Sequence, residues 1–180
     1  MRNTVLRLAV AIVALALPAA AFAQVENWEG HFEAKNVALS AGVGASYRSG
    51  DLGVAGYPGA EFIVAKWKSG DVVPLSFGIA ARGLLGFSTS RGLVYGGGAF
   101  GTFHLGLKGL DIPEVLQNLD FYVGVGVAFT WSSYYATGYG LGINSYGGLN
   151  YFLSDKLAVQ LEESYWGYYA GTTVGLLLKL

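Results

Sequence analysis

From residue 36 onward the chain alternates between bulky apolar and small or polar side chains. In the first such segment Val37, Leu39, Ala41, Val43, Ala45 and Tyr47 interleave with Ala38, Ser40, Gly42, Gly44, Ser46 and Arg48. The third sets Val73, Leu75, Phe77, Ile79, Ala81, Leu85 and Phe87 against Ser76, Gly78, Ala80, Arg82, Gly86 and Ser88. In the fifth, Phe121, Val123, Val125, Val127, Phe129 and Trp131 oppose Tyr122, Gly124, Gly126, Ala128, Thr130 and Ser132. A period of two is that of a β-strand, whose successive side chains point to opposite faces. The pattern predicts eight strands, near 36–48, 54–68, 72–88, 92–107, 120–132, 138–152, 156–166 and 170–180. Ser69-Gly70-Asp71 and Leu153-Ser154-Asp155 carry the chemistry of tight turns. In the longer connection from Gly109 to Leu119, Pro113 is suited to head a single helical turn.

Composition decides what the two faces meet. Charged residues are 13% of the chain and hydrophobic ones 53%, against roughly 25% charged in an ordinary soluble domain. A soluble β-sandwich would turn its polar face outward and charge it, but here that face is mostly glycine, serine and threonine. Such a surface belongs in lipid. Beyond the first 23 residues every apolar stretch is broken before it reaches the length of a spanning helix. Lipid then leaves only a closed barrel, in which every backbone polar group is paired. The 28 glycines disfavour helices. The expected fold is all-β: an eight-stranded antiparallel up-and-down transmembrane β-barrel, bulky side out, with both chain ends on the periplasmic side.

The second segment is ambiguous, because Phe62 and Val64 compete with Ile63, Ala65 and Trp67 for the outer face. A carboxylate at mid-depth in lipid is costly. Glu61 is therefore assigned to the lumen, Phe62 and Val64 to the outside, and Lys66 and Lys68 to snorkelling at the periplasmic interface. Pro58 is expected near the strand's outer end, where a missing ladder donor is tolerated.

The first 23 residues read as a cleavable signal peptide. Arg2 and Arg7 are its positive start, Leu8 to Leu17 its apolar core, and Ala21-Phe22-Ala23 its cleavage site, leaving 24–180 as one barrel domain. The chain has no cysteine, so neither a disulfide framework nor a cysteine-linked lipid anchor is available. A net charge of -1 favours no nucleic-acid partner.

Val174, Leu176, Leu178 and Leu180 alternate with Thr173, Gly175, Leu177 and Lys179. With that C-terminal strand the mature chain resembles the small outer-membrane β-barrel family, OmpA/OmpX-like, and the broader group of outer-membrane β-barrel domains. The family usually closes with phenylalanine, where this chain has Leu180. The resemblance implies a bacterial outer-membrane location. It also implies recognition of those four residues by the barrel-assembly machinery, with outer-membrane lipid as the standing partner.

The lumen is expected to collect Glu61, Arg82, His104, Asn144, Tyr146, Gln160 and Glu162, with Arg82 able to pair with Glu61 or Glu162. Inward glycines at 42, 78, 96, 98, 126 and 142 would leave a conduit unless Phe100, Tyr122, Tyr146 and Phe152 fill it, and the sequence leaves both open. Barrel enzymes in the family's neighbourhood, the lipid A deacylases and acyltransferases, need a histidine with a serine or an acid near the outer rim. Of the two histidines, His31 precedes the first strand and His104 lies near the periplasmic end of the fourth. No catalytic site, metal site or cofactor is therefore expected. Gly96-Gly97-Gly98 lies in a strand, not before a helix, and cradles no phosphate.

Aromatic residues are assigned to interface girdles: Trp131, Tyr139, Tyr165 and Trp166, with Tyr134, Tyr135, Tyr168 and Tyr169, to the girdle at the outer end, and outward-facing Trp67, Phe103 and Tyr151 to the girdle at the periplasmic end. Some outer ones could form a ligand-contacting rim. The leading expectation is a non-enzymatic barrel with a structural or surface-interaction role. A narrow porin-like pore or lumen-binding transporter is the alternative, and a lipid-modifying enzyme the third.

Overall fold

The computed structural model describes residues 29–48, 51–67, 75–89, 92–133, 140–166 and 169–180. Eight strands run β1 (Val37–Arg48), β2 (Asp51–Trp67), β3 (Leu75–Ser88), β4 (Gly92–Gly106), β5 (Leu119–Ser132), β6 (Gly140–Phe152), β7 (Leu157–Trp166) and β8 (Tyr169–Lys179). Each pairs antiparallel with its neighbour in the chain, and β1 pairs with β8, so the sheet closes without an edge. One short helix, α1 (Glu114–Gln117), follows Pro113 between β4 and β5, where a helical turn is expected. At the β6–β7 turn the Ser154 hydroxyl accepts from the Leu157 amide at 3.1 Å. The other expected tight turn, at 69–71, and the signal segment lie outside the described residues.

The register fixes the tilt. From Ser40 one route passes Gly59, Arg82, Gly98 and Ala128 to Gly142 on β6. The other passes Leu177 and Ala158 to Phe152, ten residues further along that strand. Such a stagger tilts the strands strongly and gives an interior that side chains can fill.

Alternation assigns the faces. Val43, Val54, Ile79, Leu141 and Ile143 on the outside are between 61 and 78% exposed, while Ala38, Ala80, Thr102, Ala128 and Ala158 on the inside are buried. The conflict in β2 is resolved by a bulge. The pairing with β3 shifts between Ile63 and Ala65, and an extra residue inverts the alternation beyond it. Phe62, Val64 and Trp67 thus all face outward, while Ile63 is fully buried. Lys66 consequently does not snorkel outward beside Val64. It turns into the barrel mouth and pairs with Glu33. Lys68 lies outside the described residues.

Pro58 is also displaced from its expected place. It sits in the middle of β2, opposite Ala41. The β2–β3 ladder passes from Gly56–Leu85 directly to Gly59–Arg82, a gap that fits the missing N–H. Gly83 faces the ring, and a Cβ there would come within 3.1 Å of Pro58 Cγ.

The start of β1 and the end of β8 meet at one mouth, where the Leu180 amide donates to the Val37 carbonyl at 2.8 Å. That terminal mouth also carries α1 and the β6–β7 turn.

Candidate functional site

The candidate site is the lumen, and it begins with a cork. Residues 29–36 enter the terminal mouth before the chain turns at Lys35, whose φ is 75°, into β1. Phe32 is 1% exposed. Its ring lies 4.5 Å from that of His104 and 5.8 Å from that of Phe152, centroid to centroid. His31 stacks on Phe152 at 4.2 Å with the rings 4° from parallel.

Hydrogen bonds pin the segment from several sides. The Ser76 hydroxyl of β3 donates to the Phe32 carbonyl at 3.0 Å, and Lys179 Nζ of β8 donates to the His31 carbonyl at 2.7 Å. The Lys35 amide donates to the Ile63 carbonyl of β2. His31 Nε2 lies 2.8 Å from the Gln117 carbonyl of α1. A carbonyl only accepts, so the neutral ring carries its proton on Nε2. Burial pushes this imidazole below its ordinary pKa, with Asp120 and the Gln117 carbonyl opposing more weakly.

Outside the cork, His31, Lys108, Gln117, Phe152 and Asp155 line an open cavity of about 430 Å³. Lys108 donates to Asp155 across it at 3.0 Å, and holds that carboxyl below the usual range.

Behind the cork lies the first charged layer. His104 Nδ1 is 2.9 Å from Asp120 Oδ2 and its Nε2 is 2.9 Å from Glu61 Oε1. The arrangement suits an imidazolium, whose two N–H groups each find a carboxylate. Asn150 Nδ2 donates to the same Asp120 oxygen at 2.9 Å, Gln160 Nε2 donates to Asn150 Oδ1 at 3.2 Å, and Thr102 Oγ1 donates to Glu61. The network ties β7, β6, β5, β4 and β2 together across the lumen.

A second layer stands above it. Arg82 Nη2 lies 3.2 Å from Glu162 Oε2, and its Nη1 donates to Ser40 Oγ at 2.6 Å. Tyr122 OH donates to Glu162 at 2.9 Å, and the guanidinium sits 4.6 Å from the Tyr146 ring centroid. Arg82 had two carboxylates within expected reach and takes Glu162, because Glu61 is engaged by His104 and Thr102. Further along, Phe100 packs edge-on against Tyr146 and Trp166. Asn144 Nδ2 donates to the carbonyls of Ala128 and Gly142.

All seven luminal residues expected from sequence are inside and buried: Glu61, Arg82, His104, Asn144, Tyr146, Gln160 and Glu162. Sequence reasoning missed Asp120, Asn150, Thr102 and the cork. Of the girdle residues, Trp67, Phe103 and Tyr165 are exposed on the outer wall, and Trp131 and Tyr151 face the same way half-buried. Trp166 is a correction. It points inward, 3% exposed, because it shares the face of Gln160, Glu162 and Ser164. Tyr139 lies outside the described residues, as do Tyr134, Tyr135 and Tyr168. On β8, Val174, Leu176 and Leu178 are exposed outside, as is the terminal Leu180. Among the described residues no group of three histidine, cysteine or acidic side chains is arranged to hold a metal ion.

No family model and no curated protein matches the chain. A de novo designed transmembrane β-barrel matches with a TM-score of 0.53 at 17% identity, over 83% of this chain and 98% of its own. Neisserial surface protein A (NspA) gives 0.49 at 15% identity, over 81% of this chain and 96% of its own. Ail, the attachment invasion locus protein of Yersinia pestis, solved with the heparin analogue sucrose octasulfate, gives 0.47 at 12%, over 83% and 100%. The first of these likenesses is one of fold: a small closed antiparallel barrel.

Proposed function

We propose that this chain is an integral, non-enzymatic barrel of a bacterial outer membrane, OmpA/OmpX-like, with a structural or surface-contact role and a lumen closed to solutes. The observation that carries this reading is the combination of a closed wall, apolar and exposed outside, with an interior crossed by two charged layers and stopped by a cork. Among the described residues no helix is long and apolar enough to cross a membrane, so the strands would do so. In lipid a closed barrel leaves no backbone group unpaired.

A pore is less well supported, since Phe32 and Phe152 occupy the terminal mouth and Phe100, Tyr146 and Trp166 the lumen beyond. For a lipid-modifying enzyme the obstacle is His104, which is buried with both ring nitrogens engaged by carboxylates. Outer-membrane lipid and the barrel-assembly machinery are the partners this reading requires.

The test is expression in a diderm bacterium, followed by membrane fractionation and planar-bilayer recording of the purified protein. The protein is expected in the outer-membrane fraction, beginning at Gln24, with no stable conductance and no change in lipid A mass. Stable conductance altered by Arg82→Ala would transfer the assignment to a pore, and an inner-membrane or soluble location would end it.

A further inference from the structure

The open cavity outside the cork has charges that do not balance. Among the described lining residues Lys108 supplies one cation, while Glu114 and Asp155 supply two carboxylates. His31 on the same lining is neutral, its Nε2 proton on the Gln117 carbonyl at 2.8 Å, which leaves Nδ1 as a further acceptor. Lys179, at the same mouth, has its ammonium on the His31 carbonyl at 2.7 Å. Three acceptors suited to a cation thus stand around a single ammonium. The ion pair across the cavity, Lys108 to Asp155 at 3.0 Å, is open to water, its side chains 41 and 85% exposed. An exposed pair of this kind holds weakly and exchanges partners readily. Phe152 and Leu153 add apolar surface, and Leu153 is 59% exposed.

We propose that this cavity is a binding site for a small zwitterion of the α-amino-acid class with an apolar side chain. An ammonium brings three N–H donors, and in an α-amino acid the carboxylate is attached to the same carbon. The ligand's ammonium takes Asp155, with Glu114 and His31 Nδ1 for its other protons, and its carboxylate takes the Lys108 ammonium that Asp155 releases. One exposed pair is thereby exchanged for two charge-assisted ones. A ligand with a single charge cannot do this. An amine alone leaves Lys108 without a carboxylate, and a carboxylate alone leaves Asp155 without a cation. The ligand's side chain lies against Phe152 and Leu153. A volume of about 430 Å³ falls within the range of small-molecule sites, roughly 300–1,000 Å³. Because the cavity opens outside the cork, the ligand enters with Phe32 still seated.

Titration of the full mature chain in detergent micelles with L-leucine, followed by amide NMR, tests the site. Saturable shifts are expected at Gln117, Asn118, Ser154 and Asp155 at concentrations up to the order of 10 mM. None is expected at Thr130, near the far end of β5. Leucinamide, which keeps the ammonium, and 4-methylpentanoate, which keeps the carboxylate, should each bind roughly tenfold more weakly. Lys108→Met should weaken leucine roughly tenfold and erase its advantage over leucinamide, whereas Asp155→Asn should weaken both ligands alike. Both side chains reach water, so an unmoved Thr130 signal reports that the barrel of each variant is intact. Absence of saturable shifts at the mouth would overturn the site. So would leucinamide binding the unsubstituted chain as tightly as leucine does, which would mark a site for cations alone. Shifts that persist unchanged in both variants would mark adventitious contact and overturn it as well.

Discussion

Phe32 and His104 touch just inside the terminal mouth, their ring centroids 4.5 Å apart and their planes tilted by 57°. The apolar tip of the cork thus covers the cation that holds Glu61 and Asp120 together.

His104→Leu should therefore be among the most damaging single substitutions. It leaves two carboxylates buried without their shared donor, and breaking a buried ion pair on one side costs about 3–5 kcal/mol. Urea unfolding of the vesicle-inserted protein measures the loss. Adding Glu61→Gln and Asp120→Asn should return a substantial part of it, and no recovery would show that packing against Phe32 dominates.

Arg82 and Glu162 should behave as a coupled pair. Arg82→Ala and Glu162→Ala are each expected to destabilise, while the double variant costs less than their sum by about 1–3 kcal/mol. Additive losses would mean that Ser40 and Tyr122 carry the layer instead.

The cork should loosen in acid. Docking favours neutral His31, so its pKa in the folded protein lies below that of the free ring, and the unfolded chain binds more protons between the two values. Stability is then full above the free imidazole value of about 6.5 and declines as pH falls toward the docked value. Amide exchange across residues 29–36 should accelerate over that window, and His31→Gln should remove the component due to this ring. A flat profile in the unsubstituted protein would contradict the assignment.

Space inside and outside the wall should also differ sharply. A Cβ at Gly124 would run into the Tyr146 ring, whereas one at Gly101 on the outer face meets nothing nearer than the Val125 carbonyl at 3.9 Å. Gly124→Val is expected to cost about 1–3 kcal/mol, and Gly101→Val to stay within about 0.5 kcal/mol of the unsubstituted protein. Thermal melts in detergent distinguish them.

The strands and their two faces could be read from the chain because a period of two is local: Val123, Val125 and Val127 declare the outside without reference to any other strand. What depends on pairing could not. The choice of Glu162 by Arg82, and of Asp120 by His104, follows from a stagger that only the closed ladder fixes. At Val64 a bulge reversed the alternation, so Lys66 changed sides. His31 and Phe32 precede the first periodic segment, and nothing local marks them as an insertion. The consecutive Glu162-Glu163 did carry a signal, since in a strand one of the two must face outward, and Trp166 follows the same count inward.

The bond from Lys179 to the His31 carbonyl joins the last strand to the segment preceding the first. Because β8 must zip against β1 before that ammonium reaches its carbonyl, the stopper can seat fully only once the cylinder is complete. A nascent, half-wound wall would keep its near opening unsealed, and seating of the N-terminal aromatic residue would then mark the moment at which insertion ends.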